Sequence, residues 1–336
     1  MIEKITQKFK NDPTLYYGLS IAASWAGVGS MMNSITLTQT YGLIPSMIWG
    51  FGNSIACIVF GLVACRLTTL RELMRSRMVM YLIGFMSIFQ LWINMNGIHD
   101  IFGDTVIGTT GGTVIVYTVC IGFIFLLLKF GMIRNVLTDS GSWYMVLGLV
   151  AALTVAAVVS TGGRNLSVPA LGLEWPNLRV GIWKGILLVP GPFTFPYFFK
   201  ILDYNDRNED QTKHINVQKS FTIGGLMFGA YMLFTYVLAM TSFSPVLNFI
   251  KAVLVSLIGI STISTFIYSE YIVFGQKLGF AINAAAVIFW PFLISLGVMG
   301  VWTLMASIRI YLVIAILFMA LVLKAARRSA ERQVGA

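Results

Sequence analysis

The sequence predicts an all-α membrane protein. Apolar residues make up 57% of its 336 residues and charged ones only 11%, against about 25% charged in a soluble domain. The apolar residues fall in long unbroken runs. No strict alternation, the mark of a membrane β-barrel, accompanies them. No soluble core could hide this much apolar surface, whereas lipid can, and lipid forces such runs into helices because their backbone groups must pair internally.

A span needs roughly 20 mostly apolar residues. Ten candidates meet that requirement, near 15–39, 42–65, 77–98, 110–130, 141–161, 180–201, 219–241, 245–274, 278–298 and 301–324. The net charge of +10 would raise nucleic acid in a soluble protein. Here the basic residues occupy the breaks between runs and read as topology, with no nucleic-acid partner. Arg66, Arg71, Arg75, Lys200, Lys219, Lys277, Lys324 and most other cations fall on one side, while Arg164, Arg179, Lys184 and Lys251 fall on the other. That bias predicts both termini in the cytoplasm, in a bacterial-type inner or plasma membrane.

No cleavable leader is expected, because the first residues are polar and the first run is too long for a signal. Cys57, Cys65 and Cys120 lie inside apolar runs and read as buried thiols. Tyr16, Tyr17, Trp143 and Trp175 sit near span ends and suggest interfacial anchoring. Asn165-Leu166-Ser167 is a weak sequon match. The polar stretch 202–219 reads as a solvated connector.

Two spans are poor helices at their centres. In the first, Ala22-Ala23-Ser24-Trp25-Ala26-Gly27-Val28-Gly29-Ser30 carries small residues and two glycines, which weaken a helix. In the sixth, Pro190-Gly191-Pro192-Phe193-Thr194-Phe195-Pro196 carries three prolines, which remove donors and clash with the preceding turn. The breaks lie about half the chain apart, each opening a set of five spans. This predicts repeats over 1–165 and 175–330, inverted because five is odd, and a binding site at the breaks. Close packing of small residues is the competing reading of the first break, and a plain kink that of the second.

Four segments resemble the sodium/solute symporter family: Ala22 to Gly42; Gly131-Met132-Ile133-Arg134-Asn135-Val136-Leu137-Thr138-Asp139; the proline-broken sixth span with its charged loop; and Gly259-Ile260-Ser261-Thr262-Ile263-Ser264-Thr265. The resemblance is to the bare five-plus-five core of the leucine-transporter (LeuT) fold, without the family's extra spans. The amino-acid/polyamine/organocation carriers stay open as the branch. The resemblance implies a sodium ion between spans one and eight, with carbonyls of Ala23, Ala26 and Ile258 and hydroxyls of Ser261 and Thr262 as ligands. Hydroxyls bonded back to their own helix are the competing reading of Ser261 and Thr262.

Arg309 lies near the middle of span ten, where an unpaired charge is costly and a functional role is the default. An anionic group of the substrate, a broken-helix carbonyl or a gate are its candidate partners. With it, the expected substrate-binding set is Trp25, Gly27, Gln90, Asn94, Gly191, Phe193, Thr194 and Phe195. Gln90 and Asn94 share one face of span three, as do Trp92 and Asn96; interhelical hydrogen bonding is their alternative. No Asp or Glu stands at a span centre, Glu270 lying near an end, so coupling through neutral oxygens is favoured over a carboxylate relay. The expected function is secondary transport of a small polar or organic solute, with sodium as coupling ion. A non-transporting sensor or assembly subunit is the alternative; the short termini argue against it. No triad, metal cluster or intramembrane carboxylate pair points to an enzyme, and no filter repeat to a channel.

Overall fold

A computed structural model describes residues 12–130, 133–207 and 215–334. Thirteen helices follow one another among them: α1 (Pro13–Trp25), α2 (Val28–Tyr41), α3 (Leu43–Arg66), α4 (Thr68–Met74), α5 (Arg77–Ile101), α6 (Gly108–Phe130), α7 (Ile133–Ser160), α8 (Trp175–Ile186), α9 (Pro196–Arg207), α10 (Val217–Met240), α11 (Pro245–Phe289), α12 (Pro291–Ile294) and α13 (Gly297–Val334). A 3₁₀ turn, Gly191–Thr194, stands between α8 and α9. Among the described residues, extended pairing is limited to an isolated bridge between Leu166 and Thr241. The Gly131–Asp139 segment that carries part of the family resemblance begins outside the described residues, as does the charged loop at 208–214.

Among the described residues, seven helices are long and apolar enough to cross a membrane. Their outward faces carry Phe85, Phe125, Val155, Leu226 and Phe318, each more than half exposed. Apolar exposure of that extent belongs in lipid, so this is an integral membrane protein.

Local sequence sets the helix starts. Asp12 accepts from Leu15 N–H at 3.1 Å ahead of Pro13, a side-chain cap followed by a proline that needs no donor. Asn216 accepts from Lys219 N–H at 2.9 Å and caps α10 in the same way. Prolines also open α9, α11 and α12. The turn between α2 and α3 requires glycine: Gly42 has φ 98°. There, Leu43 and Ile44 N–H donate to the carbonyls of Ala170 and Leu171 at 2.9 and 3.0 Å, fastening the 166–173 loop across the bundle end.

Both predicted breaks are present. The first span stops at Trp25 and resumes at Val28, with Ala26 (φ −88°, ψ 89°) and Gly27 (φ −106°, ψ 176°) non-helical. The sixth leaves α8 at Ile186, turns through Pro190 and Gly191–Thr194, and re-enters a helix at Pro196. α11 folds back at Gly275, where φ is 75°. Asn283 Nδ2–H donates to Ile267 O at 3.1 Å, although 16 residues of straight helix would separate them by about 24 Å. The expected ninth span, 278–298, is cut short: helix ends at Phe289, and the chain turns through α12 to Gly297, which has positive φ.

Two sequence readings are corrected. Cys65 is exposed, not buried. Trp143 is 1% exposed and serves the interior rather than an interface. His99 is buried and paired with Asp100 at 2.8 Å. Asn165 clasps the chain: its Nδ2–H donates to Ala157 O and Ser242 O at 3.2 and 2.9 Å.

At the end of the bundle carrying α4, oppositely charged side chains meet. Arg71 reaches Asp206 at 2.6 Å, Arg75 reaches Asp203 and Asp206 at 3.2 and 3.0 Å, and Arg327 reaches Glu72 at 2.6 Å. These pairs tie α4 to α9 and α13. The charge pattern assigns all of these residues to one side, and here they touch.

Candidate functional site where the two broken helices meet

The backbone freed at the first break is held by side chains from several helices. Trp143 Nε1–H donates to Ala26 O at 2.9 Å. Tyr231 O–H, from α10, donates to Gly27 O at 2.9 Å. Asn94, from α5, accepts from Gly29 N–H at 3.2 Å and donates to Gln90 O at 2.8 Å. The last backbone bond of α1 runs from Ala26 N–H to Ala22 O, so the carbonyls of Ala23, Ser24 and Trp25 receive no backbone amide. Such carbonyls are the ordinary orphans of a helix C-terminus and carry its partial negative charge.

Gly27 packs against Asn94 and Thr262. A Cβ there would overlap the Asn94 carbonyl oxygen and lie 2.8 and 2.9 Å from Thr262 Cγ2 and Oγ1. The first break and α11 therefore meet here. The expected ligand groups are partly engaged. Thr262 Oγ1–H donates to Ile258 O at 3.1 Å, the pattern of a helix-bonded hydroxyl. Ala26 O holds the Trp143 indole, while Ala23 O receives no amide. Ser261 is 7% exposed, and its own carbonyl accepts from Ser264 and Thr265 hydroxyls at 2.7 and 3.2 Å.

Beside the break lies a cavity of about 20 Å³, lined by Trp25, Ser30, Asn33, Trp49, Asn53, Gln90, Ile93, Leu188, Trp302 and Arg309. That is room for about one water molecule. Trp25 Nε1–H donates to Asn53 Oδ1 at 3.2 Å. Gly191, at the second break, packs against both other elements: a Cβ there would lie 2.9 Å from the Trp25 ring and 3.1 Å from Arg309 Nη1. The two breaks thus converge on one point through Trp25, Gly191 and Arg309.

Arg309 is 1% exposed. Its Nη2 lies 2.8 Å from Met305 Sδ, a weak acceptor. Its Nε–H has no hydrogen-bond partner, and neither do Trp49 Nε1–H or Asn33 Oδ1. Among the described residues no carboxylate pairs with it.

Of the expected substrate-binding residues, Trp25, Gln90 and Arg309 line the cavity, and Gly191 abuts its wall. Gly27 and Asn94 fix the adjacent break. Phe193, Thr194 and Phe195 do not line it. Phe193 packs on Phe60 with ring centroids 5.0 Å apart, Phe195 on Phe198 and Phe266 at 4.7 and 5.0 Å, and Thr194 Oγ1–H donates to Gly191 O at 2.9 Å. The 3₁₀ turn and the extended backbone at Phe195 carry the two phenylalanine rings into the aromatic core. Trp92 and Asn96 serve interhelical bonding: Trp92 Nε1–H donates to Ala286 O at 2.8 Å, and Asn96 accepts from Trp290 Nε1–H at 2.7 Å.

Sequence reading missed Ser30, Asn33, Trp49, Asn53 and Trp302. Their spacing held a signal. Ser30 and Asn33 are three apart, Trp49 and Asn53 four, and Trp302 and Arg309 seven, each pair on one helix face.

No protein-family model matches the chain, and no curated protein matches it. Among solved structures it is similar to a manganese transporter of Eremococcus coleocola, determined with an aromatic bis-isothiourea compound. The identity is 13% and the TM-score 0.40, over 95% of this chain and 74% of that one. At that level the likeness assigns neither substrate nor mechanism.

Proposed function

We propose that this chain is a secondary carrier for a small polar or organic solute, coupled to sodium and working by alternating access. The observation that carries the reading is the convergence of both interrupted helices on one small cavity whose wall holds unpartnered buried polar atoms. Interrupted helices are retained in membranes where they serve a binding site or line a cavity. Here three orphaned polar atoms are what a solute would satisfy.

The architecture this reading adopts is the ten-span, five-plus-five inverted repeat, with both termini cytoplasmic. The two breaks and the fold-back at Gly275 support it. In that orientation the Arg71–Asp206 and Arg75–Asp203 pairs bridge α4 and α9 at the cytoplasmic end. Rocking of one set of helices against the other would open each side in turn.

For sodium, Ala23, Ala26, Ile258, Ser261 and Thr262 remain the proposed ligands. The amide-free carbonyl at Ala23 and the closeness of Thr262 to Gly27 support the place. The ion would have to share Ala26 O with Trp143 and turn the Thr262 hydroxyl away from Ile258. The linkage is reciprocal: sodium must raise solute affinity by the factor that solute raises sodium affinity.

A second coupling reading rests on Glu270. It is 1% exposed, it accepts from Ser87 O–H at 2.5 Å, and its Oε2 has no partner. A protonatable carboxyl inside a membrane bundle is a candidate proton carrier.

The test is uptake into proteoliposomes under an imposed sodium gradient, then under a proton gradient. Sodium-driven uptake that Thr262→Ala and Ser261→Ala abolish is expected. Uptake driven by protons alone would replace sodium with Glu270. Solute binding without any uptake would favour the sensor or assembly subunit.

A further inference from the structure

Arg309 places a full positive charge inside the bundle with only a thioether against it. A buried cation with no partner is among the costliest arrangements in a protein. The described residues around it offer no relief: Trp25, Ser30, Asn33, Trp49, Asn53, Gln90, Ile93, Leu188 and Trp302 complete the cavity wall without an acidic side chain.

A second cation stands beside the cavity wall. Lys184, on α8, lies 5.0 Å over the ring of Trp302, and Trp302 meets Trp49 edge-on at 6.2 Å. Both charged side chains associated with this wall, Arg309 and Lys184, are cationic. A cationic solute would meet repulsion from Arg309 with no compensating carboxylate. A neutral solute would leave the guanidinium uncompensated. An anionic group would remove the imbalance.

We infer that Arg309 binds the carboxylate of the transported solute, with Trp49 and Asn33 completing the site. The guanidinium fork matches a carboxylate in shape as well as charge. The free Nε–H of Arg309 and the free indole N–H of Trp49 are donors, as a carboxylate needs. The unpartnered Asn33 oxygen calls for a donor elsewhere on the solute, such as a hydroxyl or amine. The solute class is therefore a small hydroxy or amino acid. This inference rests on the carrier reading above and names its substrate class.

The test uses the full chain in detergent, with tryptophan fluorescence as the readout because Trp25, Trp49 and Trp302 line the site. Lactate and L-alanine are titrated beside lactamide and L-alaninamide, with chloride as a further arm. At least one acid is expected to bind, and each amide to bind at least about 30-fold more weakly, the ratio for losing one partner of a buried charge pair. Arg309→Gln should remove acid binding. Arg309→Lys keeps the charge and loses the fork, so it should bind about tenfold more weakly while still preferring acid over amide. It keeps the inference falsifiable if the glutamine variant fails to fold. Binding of neither acid, of chloride alone, or of amide as tightly as acid would overturn the inference, as would unchanged affinity in the lysine variant. Acid binding without uptake would remove the carrier reading and leave this site standing. Uptake of an amine or amide that Arg309→Gln does not alter would remove this site and leave the carrier.

Discussion

Gly27→Ala puts one methyl group into a crowded joint of the molecule. The new Cβ would overlap the Asn94 amide oxygen and approach Thr262 Cγ2 to 2.8 Å. Neither neighbour is free to withdraw. Asn94 is held by Gln90 O and Gly29 N–H, and Thr262 by Ile258 O. Overpacking of this kind costs about 1–3 kcal/mol. Displacing Asn94 forfeits its bond to Gly29, worth a further 0.5–1.5 kcal/mol or so. A loss of about 2–4 kcal/mol is therefore expected, measured as unfolding free energy in mixed detergent micelles. The backbone at Gly27 has negative φ, so the effect is one of space and not of conformation. A double-mutant cycle tests that cause. Asn94→Ala removes the overlapping oxygen, so Gly27→Ala should cost at least about 1 kcal/mol less in the Asn94→Ala background. If Gly27→Ala shifts stability by less than about 0.5 kcal/mol, or shows no coupling to Asn94→Ala, the close junction of spans one, three and eight is refuted.

Three further outcomes follow from the same geometry. Trp143→Phe and Tyr231→Phe each strip a donor from the first break, at Ala26 O and Gly27 O, and each should lower unfolding free energy by about 1–3 kcal/mol, the penalty for an orphaned buried acceptor. Glu270→Gln keeps the shape of the side chain but cannot carry a proton; uptake driven by a proton gradient should vanish in that variant if Glu270 couples transport, and should persist if it does not. The Arg327 hydrogen bond holds the exposed Glu72 carboxyl below its ordinary value of 4.5, so the pair is fully formed above that value and is lost as pH falls through the lowered one. Proteolysis of the α13 end should therefore quicken in acid for the native chain, while Glu72→Gln should show the faster rate already at neutral pH.

Much of this protein was legible without a structure. Apolar runs of bilayer length predict helices because lipid leaves the backbone no other partner, and the runs became α3, α5, α10 and α11. The breaks were legible because glycine and proline act within a turn of themselves: Gly27 and Pro190–Pro196 interrupt helices wherever those helices pack. Arg309 stood out because a charge inside an apolar run is costly in any fold.

Other features depend on which helix face meets which neighbour, and only the tertiary structure decided them. Trp143 reads as an interfacial anchor by position, yet it faces inward and bonds Ala26. Phe193 and Phe195 flank the second break in sequence, but the 3₁₀ turn sends them into the aromatic core. Trp49, Asn53 and Trp302 share helix faces with polar or charged partners, but they become a site only where α3 and α13 face the breaks. Composition and local backbone chemistry determined that the chain would lie in a membrane and where its helices would fail. Side-chain direction, fixed by packing across more than 100 residues of sequence, determined what those failures enclose.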